Sequence, residues 1–244
     1  SYNNFEDKAI SQIGKELYLA FIKNYTKKQW NKSPKYLPSS IFNRLPIRLN
    51  YNEDYYEQTQ WQGIPKDGYT QIFKNLLENK KIKVVLNKNY NLDFKIKPKY
   101  LTIYTGPLDK LLDYKFGKLE WRSLKFKKKY HNSKDYQGSS VINYPDLKQK
   151  YTRIHEPKHL HPERKVFNNN LTMTVEEYPS NNINEPYYPI NNETNRTMHR
   201  KYKDHLKNYN KFTFGGRLAD YAYYDMDMTI SAALKKFEQI KKNL

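Results

Sequence analysis

The chain has 244 residues, 37% of them hydrophobic, with 44 basic against 25 acidic side chains and a formal net charge of +19. Its 24 tyrosines, 11 phenylalanines and 3 tryptophans supply material for a core and take it out of the disordered class, despite a mean hydropathy of −1.04. The absence of cysteine excludes disulfide scaffolds, thiol nucleophiles and cysteine-ligated metal and suits a cytoplasmic protein, and no run approaches the ~18 apolar residues of a membrane span.

Residues 5–24 carry Ile10, Ile13, Leu17, Ala20 and Phe21 at helical spacing, which predicts an amphipathic helix. Ser33-Pro34 and Leu37-Pro38 interrupt it, and a loop follows through Ile41, Arg44, Pro46 and Arg48. Gly63, Pro65 and Gly68 mark turns before a second helix over 69–79, with Ile72, Phe73, Leu76 and Leu77 on one face. Lys81 to Leu86 reads as a strand around the β-branched Val84-Val85. Leu101 to Tyr104 is a short strand ending at Thr105-Gly106-Pro107. Further strand-like runs near 119–130, 138–144, 151–156 and 171–177, with no helical pattern between them, predict a largely antiparallel sheet. Helical spacing returns over 193–209 through Met198, Tyr202, Leu206 and Tyr209. Lys211 to Phe214 reads as a strand running into Gly215-Gly216-Arg217, and a last helix spans 226–241. Asp225 is its N-cap, and Ile230, Ala233, Leu234 and Phe237 form its expected buried stripe.

The positive balance points to an anionic partner: nucleic acid, a phosphorylated small molecule or a membrane surface. The lysines are scattered, and even the densest run, Lys125-Phe126-Lys127-Lys128-Lys129, falls in a strand with a solvated face, so the charge describes solubility first. None of the eight glycines forms a G-x-G-x-x-G or Walker A loop. His155, His159 and His161 have a spacing that could hold a metal. With Pro157 inside it and no nearby carboxylate set expected, structural hydrogen bonding is the favoured reading. Two features suit a phosphorylated ligand. Arg122, set among apolar residues in Glu120-Trp121-Arg122-Ser123-Leu124, offers a bidentate fork. Tyr187-Tyr188 between prolines, and Tyr221, Tyr223 and Tyr224 before Asp225, offer phenols for phosphate and rings for a base.

Taken together, eight segments resemble the UDP-galactopyranose mutase family over nearly the whole chain. They are Phe21 to Trp30 (FIKNYTKKQW), Asn43 to Arg48 (NRLPIR), Tyr104 to Asp109 (YTGPLD), Trp121 to Leu124 (WRSL), Tyr151 to Glu156 (YTRIHE), Glu185 to Asn191 (EPYYPIN), Gly215 to Leu218 (GGRL) and Tyr221 to Met226 (YAYYDM). Each alone is weak, and their shared order and spacing make the match specific. The resemblance implies an isomerase that interconverts UDP-galactopyranose and UDP-galactofuranose, through a covalent adduct with N5 of reduced FAD and with no net redox change. It implies an α+β fold: a largely antiparallel substrate domain, part of a helical domain, and the C-terminal pieces of a Rossmann-type flavin domain. The implied division is a partial helical domain over 1–80 with a mobile substrate loop near 37–48, a sheet domain over 81–210 with 100–109 belonging to the flavin domain, and the flavin domain's last strand and helix over 211–244.

The resemblance also implies residue roles. Tyr25 stacks on uracil, and Trp30 lines the substrate pocket. Arg44, in the mobile loop, and Arg122 are the diphosphate-binding cations that stabilise departing UDP. Tyr55, Tyr188 and Tyr223 contact phosphate. Asp225 is an acid near the sugar or flavin, and Arg217, Tyr223, Asp225 and Met226 face the cofactor. No metal, no nucleic acid and no membrane span are expected. UDP-galactose is the small-molecule partner, and the complete protein is expected to be a homodimer. The Gly-rich flavin-binding half of the family has no counterpart here. The chain is therefore expected to be a C-terminal fragment, inactive alone, with an incomplete FAD site and with apolar surface exposed around Leu101–Tyr104 and along the last helix. The alternatives are a non-catalytic UDP-sugar-binding remnant and a basic nucleic-acid-binding protein.

Overall fold

The computed structural model describes residues 2–44, 47–52, 54, 56, 59–93, 98–164, 170–182 and 184–242. In chain order the elements are α1 (Phe5–Leu17), a π-helical turn (Tyr18–Ile22), α2 (Lys23–Trp30), α3 (Tyr69–Leu77), β1 (Thr102–Tyr104), α4 (Leu108–Leu111), β2 (Trp121–His131), β3 (Val141–Asn143), β4 (Arg153–His155), β5 (Thr172–Ser180), β6 (Tyr188–Pro189), α5 (Glu193–Leu206), β7 (Phe212–Phe214) and α6 (Met226–Lys242). The fold is α+β, as expected. Two compact units divide it: 1–89 with 126–178, and 90–125 with 179–244.

In the first unit the Asn4 side chain accepts the Asp7 amide at 2.9 Å and caps α1, whose first turn carries Glu6 and Asp7. Gly14, at φ 79°, breaks the helical path where only glycine enters cheaply. The chain re-forms as the π turn and α2 and ends at Asn31, left-handed at φ 52°. Phe5 meets Phe42 edge-on at 5.2 Å, and Tyr18, Trp30 and Leu37 are buried with them. The strands follow the order β3-β4-β5-β2, antiparallel from β3 to β5, with Ile142 opposite Ile154 and Ile154 opposite Glu176.

One expectation needs correcting here. The strand expected over 81–86 does not form. That stretch has no regular structure, and Val84, Val85 and Leu86 are exposed, so apolar β-branched residues without a partner strand make no ladder. The helix expected over 69–79 forms as α3, but its apolar face is bare: Ile72, Phe73, Leu76 and Leu77 are all exposed.

In the second unit β1 and β7 pair in parallel, with Ile103 opposite Thr213. The core gathers Leu108, Leu111, Leu119, Trp121, Tyr202, Leu206, Ala219 and Tyr221. α5 begins at Asn192, whose side chain accepts the Asn195 amide at 2.8 Å, and it buries Asn195, His199, Tyr202 and Leu206 along one face. The Tyr202 hydroxyl donates to the Gly117 carbonyl at 2.6 Å and accepts the Phe116 amide at 3.0 Å. α6 departs from its expected buried stripe. Ile230, Leu234 and Phe237 are 61%, 63% and 57% exposed, Ala233 is exposed too, and no residue of the helix is buried. An apolar stripe records a need for cover, and no described residue covers this one. Ile103 of β1 is also exposed, so apolar surface lies bare at both places where the resemblance implied it. No helix among the described residues is long and apolar enough to cross a membrane.

Leu206→Ala is expected to cost about 2–5 kcal/mol through the cavity it leaves. Tyr202→Phe, which strips the Gly117 carbonyl and Phe116 amide of their partner, is expected to cost about 1–3 kcal/mol. Urea unfolding followed by circular dichroism measures both, and a cost near zero for Tyr202→Phe would mean that water replaces the hydroxyl.

Candidate functional site

In the second unit, β2 and β6 pair antiparallel over two residues, Trp121 with Pro189 and Arg122 with Tyr188. Directly opposed residues on an antiparallel pair share a face, so Arg122 and Tyr188 stand side by side. Arg122 is only 5% exposed. Its guanidinium donates to the Asn181 side chain, and its carbonyl accepts the Tyr187 amide at 3.0 Å. Burial pulls its pKa down. A buried guanidinium has lost much of its water, so an anion brought to it gains more than at a solvated lysine.

Tyr188 stacks on Tyr223 with ring centres 5.1 Å apart and planes 22° from parallel. Arg217 lies against this pair, 4.7 Å from the Tyr223 ring centre and 5.7 Å from that of Tyr188. Its fork donates to the carbonyls of Tyr187 and Tyr224. The turn holding it follows β7. Gly216 takes φ 88° there, and its amide donates to the Asp220 carboxylate at 3.1 Å. His199 of α5 secures the same turn by donating from Nε2 to the Ala219 carbonyl at 2.8 Å, and burial keeps that imidazole's pKa low. Tyr221 is buried, and its hydroxyl lies against the carbonyls of Glu120 and Ile190 at 2.5 and 3.1 Å, tying the turn to the residues beside β2 and β6. Arg122, Tyr188, Tyr223 and Arg217 are thus gathered in one unit by the β2–β6 register and this single turn.

Asp225 precedes α6 and takes the N-cap position, its carbonyl accepting the Thr229 amide at 2.9 Å. That first helical bond leaves the amides of Met226, Asp227 and Met228 ahead of the ladder. Met226 is 58% exposed. A helix N-terminus with free amides is a place where an anionic group can be held. The chain's glycines supply no G-x-G-x-x-G cradle for the cofactor's diphosphate.

In the first unit, Tyr25 is half-buried on α2, and the Arg153 guanidinium of β4 donates to its hydroxyl at 2.5 Å. Burial pushes the Tyr25 phenol up and Arg153 opposes that, so the ring stays neutral at physiological pH. Arg153 Nε lies 3.5 Å from Glu177 Oε1, and His155 Nε2 donates to Glu177 Oε2 at 3.1 Å. Trp30, at the end of α2, is 8% exposed. Arg44 closes the 3-10 segment Ser39–Arg44, and its side chain lies outside the described residues, as does the whole of Tyr55. Arg153 is the residue that sequence reasoning left without a role. The signal was present, since it sits in Tyr151 to Glu156, but only the fold brings it to a ring 128 positions away.

The three histidines weighed as metal ligands each meet a carboxylate: His155 Glu177, His159 Asp135 and His161 Glu163. The expectation that no carboxylate set lies near them is corrected: Asp135, Glu156 and His159 bring ligand atoms within 4.8 Å of one another, since the fold carries Asp135 to the histidine segment. Lys158 Nζ lies 3.3 Å from Glu156 and 3.5 Å from Asp135, so the cluster already holds a cation of its own. Glu156 is fully buried, accepting the Thr172 hydroxyl at 2.5 Å and the Gln137 amide at 2.9 Å.

The sequence matches the profile of the UDP-galactopyranose mutase family over residues 20–223. It is 36% identical to the dTDP-fucopyranose mutase of Escherichia coli, over 98% of this chain and 64% of that protein. It is 38% identical to a probable UDP-galactopyranose mutase of Klebsiella pneumoniae, over 96% of this chain and 60% of that protein. Among solved structures it resembles that of a reduced UDP-galactopyranose mutase, with a TM-score of 0.67 over 91% of this chain and 63% of the other. At 14% identity that likeness concerns the fold. The chain belongs to the UDP-galactopyranose mutase family, and it spans about three fifths of the length of the curated relatives it matches.

Burial alone would raise the Glu156 carboxyl, but the hydrogen bonds from Thr172, Gln137 and Tyr136 and the Lys158 ammonium outweigh it and hold the carboxyl below the ordinary value of 4.5. A depressed folded-state pKa gives stability that is present above 4.5 and lost as pH falls through the folded value. Glu156→Gln is therefore expected to flatten the loss of unfolding free energy below pH 4.5. Denaturant midpoints taken stepwise from neutral pH downward measure it, and parallel pH profiles for parent and variant would refute it.

Proposed function

We propose that the protein interconverts UDP-galactopyranose and UDP-galactofuranose. Membership of the family supports the reaction class. The observation that carries the reading within this chain is Arg122, buried and set across from Tyr188 beside the Tyr223–Arg217 stack. Opening the bond between sugar and nucleotide leaves charge on the UDP diphosphate. A desolvated guanidinium with phenol donors beside it stabilises that charge more as it develops than it stabilises the intact substrate. Reduced FAD, when bound, supplies the nucleophile through N5.

The roles proposed for this chain's residues are those that the family resemblance implies. Arg122 and Arg44 bind the diphosphate, with Tyr55, Tyr188 and Tyr223 donating to its oxygens. Tyr25 offers a neutral ring to the base, its hydroxyl held by Arg153, and Trp30 borders the substrate. Asp225 holds a proton near the sugar or cofactor. Arg217, Tyr223, Asp225 and Met226 face the flavin. The protein acts in the cytoplasm as a homodimer.

A second reading keeps the chemistry and changes the substrate to dTDP-fucopyranose. It is favoured by the 36% identity to the Escherichia coli enzyme of that name. Both substrates join a pyrimidine nucleoside diphosphate to a pyranose, so the same arginines serve either.

The test is turnover of the two furanose sugar nucleotides by the reduced, full-length protein, with products resolved by chromatography. Conversion of UDP-galactofuranose at much the higher kcat/KM supports the first reading, and preference for the dTDP sugar supports the second. Arg122→Ala is expected to weaken UDP binding by about tenfold or more, as loss of charged hydrogen bonds requires. Lys127→Ala, on the exposed part of β2, should change it by less than about twofold. Undiminished UDP affinity in Arg122→Ala would remove that residue from the site.

A further inference from the structure

One turn along α2 from Tyr25, the ammonium of Lys28 reaches the loop that joins β3 to β4. Lys28 Nζ lies within hydrogen-bond distance of the backbone carbonyls of Tyr144 at 2.5 Å, Asp146 at 2.8 Å, Gln149 at 3.1 Å and Tyr151 at 2.9 Å, its three N–H groups shared among the four. The loop's base is closed by the Tyr144 amide on the Thr152 carbonyl at 2.8 Å. The strands on either side pair Asn143 with Arg153. The loop is far longer than the two residues that a tight hairpin needs, so its path is not set by turn geometry alone. Four carbonyls converging on one point repel one another unless a cation or donor sits among them. An ammonium is a compact charge with three donors and no plane to satisfy, which suits such a ring better than a guanidinium does. Withdrawal from water lowers the Lys28 pKa while the Asp146 carboxylate pulls the other way.

The same loop leads directly into Arg153, whose guanidinium holds the Tyr25 hydroxyl. Contacts at two levels therefore join α2 to this hairpin: Tyr25 to Arg153 and Thr152, and one helical turn later Lys28 to the four carbonyls. Contacts at the phenol oxygen alone fix one end of the ring and leave the hairpin free to pivot about that point. The second contact fixes the spacing between the helix and the start of β4. We infer that Lys28 is a positioning residue for nucleotide binding. It gathers the Tyr144–Tyr151 carbonyls and so sets Arg153, and through Arg153 the Tyr25 ring, in the attitude that receives the base. This inference rests on the assignment of Tyr25 to the base.

The experiment uses the full-length, flavin-loaded protein and measures UDP affinity by titration calorimetry and turnover at saturating and limiting UDP-galactose. Lys28→Met and Lys28→Gln are expected to weaken UDP binding by about tenfold and to raise KM similarly, with kcat held within about threefold and far-UV circular dichroism unchanged. Lys28→Cys should behave like them. Alkylation with 2-bromoethylamine, which rebuilds an ammonium at nearly the lysine's length, should restore affinity to within about twofold of the parent. UDP affinity retained in either folded variant overturns the inference. Failure of both Lys28→Met and Lys28→Gln to fold overturns it too, since Lys28 would then serve the fold and not the site. Tyr25→Ala separates the two layers. Affinity lost there but kept in Lys28→Met sinks this inference alone, while affinity kept in Tyr25→Ala sinks the base assignment and this inference with it.

Discussion

The Glu156 carboxylate is fully buried and accepts the amides of Tyr136 and Gln137 together with the Thr172 hydroxyl. That interaction, a charged or polar side chain satisfying backbone groups that no regular element satisfies, recurs wherever this chain must hold an irregular segment. Lys28 does it for the loop between β3 and β4, Arg217 for the carbonyls of Tyr187 and Tyr224, and His199 for the carbonyl of Ala219. Buried backbone groups must find partners, and a chain with short strands and long connections leaves many outside any ladder. A composition of 28% charged against 37% hydrophobic residues suits this construction, since it supplies many polar anchors beside a limited apolar bulk.

The same economy explains which faces are bare. The periodicity of α6 and α3 was legible in the sequence and correct as helix, because spacing of apolar residues reports the element. Burial was not legible, because it depends on a second surface. Ile230, Leu234 and Phe237 have the pattern of a core stripe and lie in the open among the described residues. The stretch over 81–86 fails for the same reason in strand form. Val84 and Val85 favour a pleated surface, and nothing described pairs with them. By contrast α5 carries the same kind of stripe and is buried, because Leu108, Trp121 and Tyr221 stand opposite it. One helical signal thus meets two outcomes, decided by neighbours far away in sequence.

Of the candidate site, the sequence yielded the residues whose neighbours in the chain already marked them. Arg122 was conspicuous among apolar residues, and Tyr188 and Tyr223 lay in aromatic clusters. The fold adds the reason they matter together, which is a two-residue pairing of β2 with β6 and a glycine turn that brings Arg217 against both rings. Lys28 escaped because a lysine within a basic run has no local mark, and Arg153, though inside a marked segment, had nothing beside it in the chain to say what it holds. What distinguishes them is a partner more than a hundred positions distant.

That contrast bears on the chain's charge of +19. A dispersed field of exposed lysines attracts any anion, and at physiological salt it is screened beyond about 8 Å, so it serves encounter and solubility more than choice. Lys127 and Lys128 belong to it, on the exposed stretch of β2. Three residues before Lys127 on β2, Leu124 closes a buried run that begins at Trp121 and includes Arg122, where desolvation gives a single cation far more leverage over an anion. One strand therefore carries both kinds of charge. A ligand drawn by the exposed end should lose affinity steeply as salt rises, whereas one held at the buried end should depend on the guanidinium's geometry and tolerate salt. The buried end is the part of the strand that pairs with Tyr188, so the β2–β6 register sets the neighbours of the desolvated guanidinium while the lysines of the same strand stay in solvent.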